Sequence, residues 1–170
     1  MKFIKQIIMT ILLLVVPVSG LAFQNEPIGF RDLYWGETLE EVKQGREVEY
    51  FNYDEKTNSV TYWVHLNSDE SKTLSQVPIL REGFDATFWN DKLWKIILYF
   101  NGKSTFTSLK NAMIQLYGKP QINEWDNCIW IGKNTIIDIA NDSAAGGAWI
   151  SIGSTKLLYD LIKEQASQGW

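Results

Sequence analysis

Gly83-Phe84-Asp85-Ala86-Thr87-Phe88-Trp89-Asn90-Asp91-Lys92-Leu93-Trp94-Lys95-Ile96-Ile97-Leu98-Tyr99-Phe100 is the stretch that decides the fold. Two apolar runs flank Asn90-Asp91, a dipeptide that tolerates the positive φ of a tight hairpin turn, so the spacing predicts two antiparallel strands. Within the first run Phe84, Ala86 and Phe88 share one parity, and Trp89 falls on the other with Asp85 and Thr87. In the second run Trp94 shares its parity with Ile96, Leu98 and Phe100.

Working outward, Glu47 to Tyr53 and Val60 to Leu66 alternate around the turn-rich segment 54–58 and predict another hairpin. Asn67 to Val77 is polar and aperiodic, which predicts a long exposed loop. Upstream, Phe30 to Trp35 reads as a first strand or an extended entry, and Thr38-Leu39-Glu40-Glu41 is a capping box that opens a short helix to about Gln44. Downstream, Thr105 to Tyr117 gathers Phe106, Leu109, Met113, Leu116 and Tyr117 on one helical face, and Gly118-Lys119-Pro120 stops it. Four short strands follow: Gln121 to Trp125, Cys128 to Ile131, Thr135 to Asn141, and Ala148 to Ser154. Ser154 can then cap a last helix to about Gln165. The expected fold class is α+β, with antiparallel meander sheets and about three helices packed mainly on one face. Residues 30–100 and 105–154 form loosely similar halves of one domain, 23–170.

Residues 1–22 stand apart from this pattern. Lys2 and Lys5 precede the apolar run Ile7 to Val16, Pro17 ends it, and Gly20 and Ala22 fit a small-x-small cleavage site, which is the pattern of a cleaved signal peptide. Export to the periplasm or beyond is expected, with no stable membrane insertion after cleavage. Lipid attachment at a new N-terminal cysteine is excluded, because the single cysteine is Cys128. Without the first 22 residues the chain keeps 14 basic against 20 acidic residues, a net of −6. No basic run follows Lys5, so a nucleic-acid partner is not expected.

The catalytic inventory is thin. His65 is the only histidine, no Gly-x-Ser-x-Gly elbow presents a serine, and one histidine with one cysteine does not make a zinc set. No cofactor and no metal are expected on these grounds. Cys128 reads as a small hydrophobe between Trp125 and Trp130. Asp142 to Gly147 reads as a flexible hairpin loop, since it lacks the Lys and Ser/Thr of a phosphate loop. Asp85 and Asp138 share a face and could act as paired carboxylates in a hydrolase acting on a wall polymer or glycan, the alternative to a binding function.

The eight tryptophans are the strongest signal of function. Parity places Trp63, Trp89, Trp125, Trp130 and Trp149 opposite the aliphatic residues, among His65, Asp85, Thr87, Asp138 and Ser151. The expected binding set is therefore Trp63, His65, Trp89, Trp125, Trp130, Asp138 and Trp149. Aromatic rings flanked by acids and hydroxyls suit contact with a protein or a glycan, although the same rings can also pack beneath other parts of the chain. The expected function is a non-catalytic binding or protein-interaction domain that meets an envelope protein or glycan, with an inhibitor or immunity protein as a specific form. Self-association is open, as is strand addition at a sheet edge.

Phe30-Arg31-Asp32-Leu33-Tyr34-Trp35-Gly36, the strand Lys92 to Phe100 and Leu116-Tyr117-Gly118-Lys119-Pro120 together carry a resemblance. They resemble small uncharacterised exported proteins of Gram-negative bacteria, and the helix-then-meander layout is similar to that of beta-lactamase-inhibitor-like domains. The resemblance implies export and an α+β fold, and it brings no catalytic residues.

Overall fold

A computed structural model describes residues 23–102, 104–142 and 146–167. Segment 1–22, expected to be a signal peptide, and Trp170 lie outside the described residues, as does the centre of the loop after Asp142. The chain is α+β. Its elements run β1 (Gly29–Phe30), β2 (Leu33–Tyr34), α1 (Leu39–Gly45), β3 (Val48–Asp54), β4 (Ser59–His65), β5 (Thr73–Leu74), β6 (Val77–Pro78), β7 (Gly83–Trp89) and β8 (Lys92–Asn101). They continue with α2 (Thr105–Tyr117), β9 (Ile122–Asn123), β10 (Asn127–Ile131), β11 (Thr135–Asp142), β12 (Gly147–Ser154) and α3 (Thr155–Ser167).

Eight strands form one antiparallel sheet in the order β3-β4-β7-β8-β12-β11-β10-β9. The first four and the last four each run in chain order, and the last strand of each set, β8 and β12, pair at the centre. A helix precedes each set, so the two expected halves meet along one continuous sheet rather than as separate layers.

Local sequence signals place the helices. Thr38 accepts from the Glu41 amide while the Glu41 carboxylate accepts from the Thr38 amide, which completes the capping box of α1. Helix α2 ends at Gly118, whose φ of 79° releases the chain. Ser154 Oγ accepts from the Leu157 amide at 3.3 Å and caps α3. The hairpin turn at Asn90 and Asp91 has φ of 50° and 56°, as the sequence requires.

The two sheet faces are covered differently. On the first face Val64, Phe84, Ala86, Phe88, Ile96, Leu98, Phe100, Ile150 and Ile152 join Val42 of α1 and Phe106, Leu109 and Met113 of α2 in the main core. A second, smaller cluster joins Trp89 and Trp94 to Leu157 and Leu161 of α3. The third helix thus packs on the face opposite the other two, and its Gln165 Nε2 reaches the Lys56 carbonyl at 3.0 Å in the β3–β4 turn. The expectation of helices mainly on one face is corrected accordingly. The physical reason is a β-bulge: Thr87 pairs with Lys95 and Phe88 with Leu93, leaving Trp94 as the extra residue. Leu93 takes the core side, and Trp94 turns to the second face with Lys95, whose Nζ lies 4.6 Å over its ring. That gives α3 an apolar seat.

The segment 67–77 also departs from expectation. Ser75 and Gln76, at φ of 48° and 71°, turn a two-residue hairpin between β5 and β6. Leu74, Val77 and Ile79 pack against the main core, so this segment covers the first face and leaves the tryptophan face alone. Arg46 anchors its base from within the protein. Its guanidinium donates to Glu70 at 2.7 and 2.8 Å, bonds Asp32, and lies 5.7 Å over the Phe84 ring. Those hydrogen bonds hold the Glu70 carboxyl at about 2. Phe30 to Trp35, expected as a first strand or an extended entry, is divided between β1 and β2 by a turn in which Arg31 has φ of 58°. Among the described residues no helix is long and apolar enough to cross a membrane.

Candidate functional site

The second face carries side chains in rows fixed by strand register. One row runs Glu49, Trp63, Asp85, Ile97, Ser151, Asp138 and Ile129 across β3, β4, β7, β8, β12, β11 and β10. The neighbouring row includes Tyr99, Trp149, Ala140 and Asn127. On the other side lie Thr61, Thr87, Lys95, Gly153 and Ile136, nearer the end covered by α3. Helix α3 therefore divides the face into a closed end and an open end.

At the open end Trp63, Ile97, Tyr99, Trp149 and Ser151 are half-buried, with neither full solvation nor full cover. The Trp63 indole lies across Gly83, where a Cβ would come within 2.4 Å of its Cζ2. Only glycine leaves room for the ring there. The Arg81 guanidinium carbon sits 5.6 Å from the centre of the same ring, and His65 meets it edge-on at 6.3 Å. Beneath these rings Asp85 is 5% exposed; its Oδ2 accepts from the Tyr99 hydroxyl at 2.8 Å, while its Oδ1 has no hydrogen-bond partner among the described residues. Burial pushes the Asp85 carboxyl up, and burial together with the Asp85 acceptor pushes the Tyr99 phenol up. Asp138 accepts from Asn127 Nδ2 at 2.6 Å, yet desolvation dominates and raises its carboxyl to about 6.

Four of the seven expected site residues, Trp63, His65, Asp138 and Trp149, lie on this open part of the sheet. The other three do not. Trp89 is on the expected face but only 7% exposed, because α3 covers it with Leu157 and Leu161. Trp130 points into the main core beside Ile137 and Met113, fully buried, and its Nε1 donates to the Gly118 carbonyl at 2.8 Å. Its neighbour Cys128 is equally buried on that side, and desolvation raises its thiol. Trp125 is off the sheet altogether, 81% exposed in the turn between β9 and β10. Tyr99 and Arg81 are the members that parity reading of tryptophans passed over, although Tyr99 shares a parity with Ile97 in the quoted stretch.

Asp85 and Asp138 do share a row, but β8 and β12 stand between their strands. Three strand spacings separate them by about 14 Å. Paired glycosidase carboxylates stand about 5 to 9.5 Å apart, so these two cannot flank one scissile bond. The edge strand β3 is a separate feature, with Tyr50, Phe51 and Tyr53 all exposed and a bulge at Phe51.

No protein-family model matches the chain, and no curated protein or solved structure matches it either.

Proposed function

We propose that the protein is a non-catalytic binding domain, exported as its first 22 residues suggest, that uses the open end of its second sheet face to hold a protein partner. The carrying observation is that Trp63, Tyr99 and Trp149 stand half-buried on one face around Asp85, whose Oδ1 lacks a hydrogen-bond partner among the described residues. Half-buried aromatic rings supply large contact area at little entropic loss. An envelope inhibitor or immunity protein is the form of this reading that size, acidic charge and export support. A strand-addition or self-association role has its own observation in the exposed aromatic edge β3, and sedimentation of the free chain tests it.

The test of the face is capture from envelope extract by the wild-type chain and by Trp63→Ala/Trp149→Ala. Tryptophan hot spots contribute ~2 kcal/mol or more, so the double variant should retain less than about a tenth of the captured partner. Equal capture by both proteins, with circular dichroism unchanged, removes this face as the binding surface.

A further inference from the structure

Beside the aromatic face, at the start of the edge strand, three potential metal ligands converge. Glu47 and His65 are opposed across the β3–β4 pair, since the His65 amide donates to the Glu47 carbonyl at 3.0 Å, and Glu49 is two residues further along the same face. One carboxylate oxygen from each glutamate and one imidazole nitrogen lie within 4.8 Å of one another.

We propose that Glu47, Glu49 and His65 form a binding site for one divalent transition-metal ion of the zinc type. Three observations support it. First, His65 Nε2, an atom shielded from solvent, lies 3.3 Å from Glu49 Oε1, an ion pair when the imidazole is protonated, and meets no hydrogen-bond geometry among the described residues. A tetrahedral ion with bonds of about 2.0–2.1 Å has ligand–ligand edges of about 3.3 Å, so the two atoms already stand at the spacing of neighbouring ligands. Second, neither glutamate has a lysine or arginine ion-pair partner among the described residues. The adjacent Arg46 is turned to the other face and engaged by Glu70 and Asp32, and Arg81 stacks on Trp63. Among the described residues, the cationic partner of these carboxylates is thus His65 itself, when protonated. Third, one nitrogen and two carboxylates are a donor set that suits zinc over calcium or magnesium, and three protein ligands leave a position for water or a partner's donor.

The single histidine and single cysteine make a metal unexpected on sequence alone, because the two glutamates count as ligands only once β3 and β4 are paired. Cys128 is buried elsewhere and does not compete. This site goes beyond the proposed binding face and does not depend on it.

Titration calorimetry of the untagged chain with zinc chloride tests the proposal. The expected result is one ion per chain, with affinity reduced at least tenfold in His65→Ala and in Glu49→Gln. Glu49 is exposed on an edge strand, so Glu49→Gln keeps the fold and serves where His65→Ala does not. A second reading uses copper(II), whose binding at His65 should quench Trp63 in wild type and lose that quenching in Trp63→Phe. No zinc uptake by the wild-type chain, or unchanged affinity in the folded variants, overturns the site.

Discussion

The closed and open ends of the second sheet face are built from similar residues and behave differently. At the closed end Trp89 and Trp94 are dry, held by Leu157 and Leu161 of α3. At the open end Trp63 and Trp149 are half-buried beside Tyr99, with no helix over them. The difference teaches that a tryptophan on a sheet is committed to structure or to contact by what crosses above it, not by its parity. A single helix makes that choice here.

Breaking the cover should give the largest effect. Leu161 is 4% exposed and packs in the cluster with both tryptophans, so Leu161→Ala should lower stability by about 2–5 kcal/mol in urea unfolding. The emission of Trp89 and Trp94 should move to longer wavelength as water enters. A loss below about 1 kcal/mol would mean that α3 is not the lid described.

Asp138 sharpens the contrast from the open side, where a carboxyl is desolvated without a countercharge. Its folded value of about 6 lies above the ordinary 3.8, so the native state holds this proton more tightly than the unfolded chain. The resulting stability is fully present below about 3.8 and is lost as pH rises through about 6. At pH 7 the group therefore opposes folding by about 3 kcal/mol, and Asp138→Asn should be more stable than wild type there by up to that amount. The advantage should vanish by pH 4. Denaturant midpoints of the two proteins across pH 4–7 check it, and parallel curves would mean that Asp138 is solvated.

How much of this was legible before the chain was folded depends on the range of the interaction. The capping box at Thr38, the Gly118 stop, and the turn at Asn90 and Asp91 are local devices, and the elements they bound agree with the structure. Which face is inside is a long-range property. In β10 both parities are apolar, and only pairing of Trp130 with Ile137 shows that the tryptophan side faces α2. The Trp94 bulge breaks alternation without a glycine or proline to announce it. Asp85 and Asp138 were visible as residues of one parity, but their separation needs the order β7-β8-β12-β11, which no local pattern carries.

Trp125 separates exposure from membership of the face, and its effect on stability should be the smallest. The ring is 81% exposed at a turn where the Glu124 amide already bonds the Asn127 carbonyl at 2.8 Å, so the backbone holds itself. Trp125→Phe should shift stability by no more than about 0.5 kcal/mol. It should remove much of the acrylamide quenching, because the most open indole among the described residues is gone. With Trp170→Phe added, the quenching that survives reports on the half-buried rings, Trp63 and Trp149 of the face and Trp35. If Trp63 and Trp149 stand open, a quenchable fraction must remain and must fall further when a partner binds. If quenching disappears with Trp125 alone, every other ring is covered, the open end of the sheet is as closed as the end beneath α3, and the contact surface is lost with it.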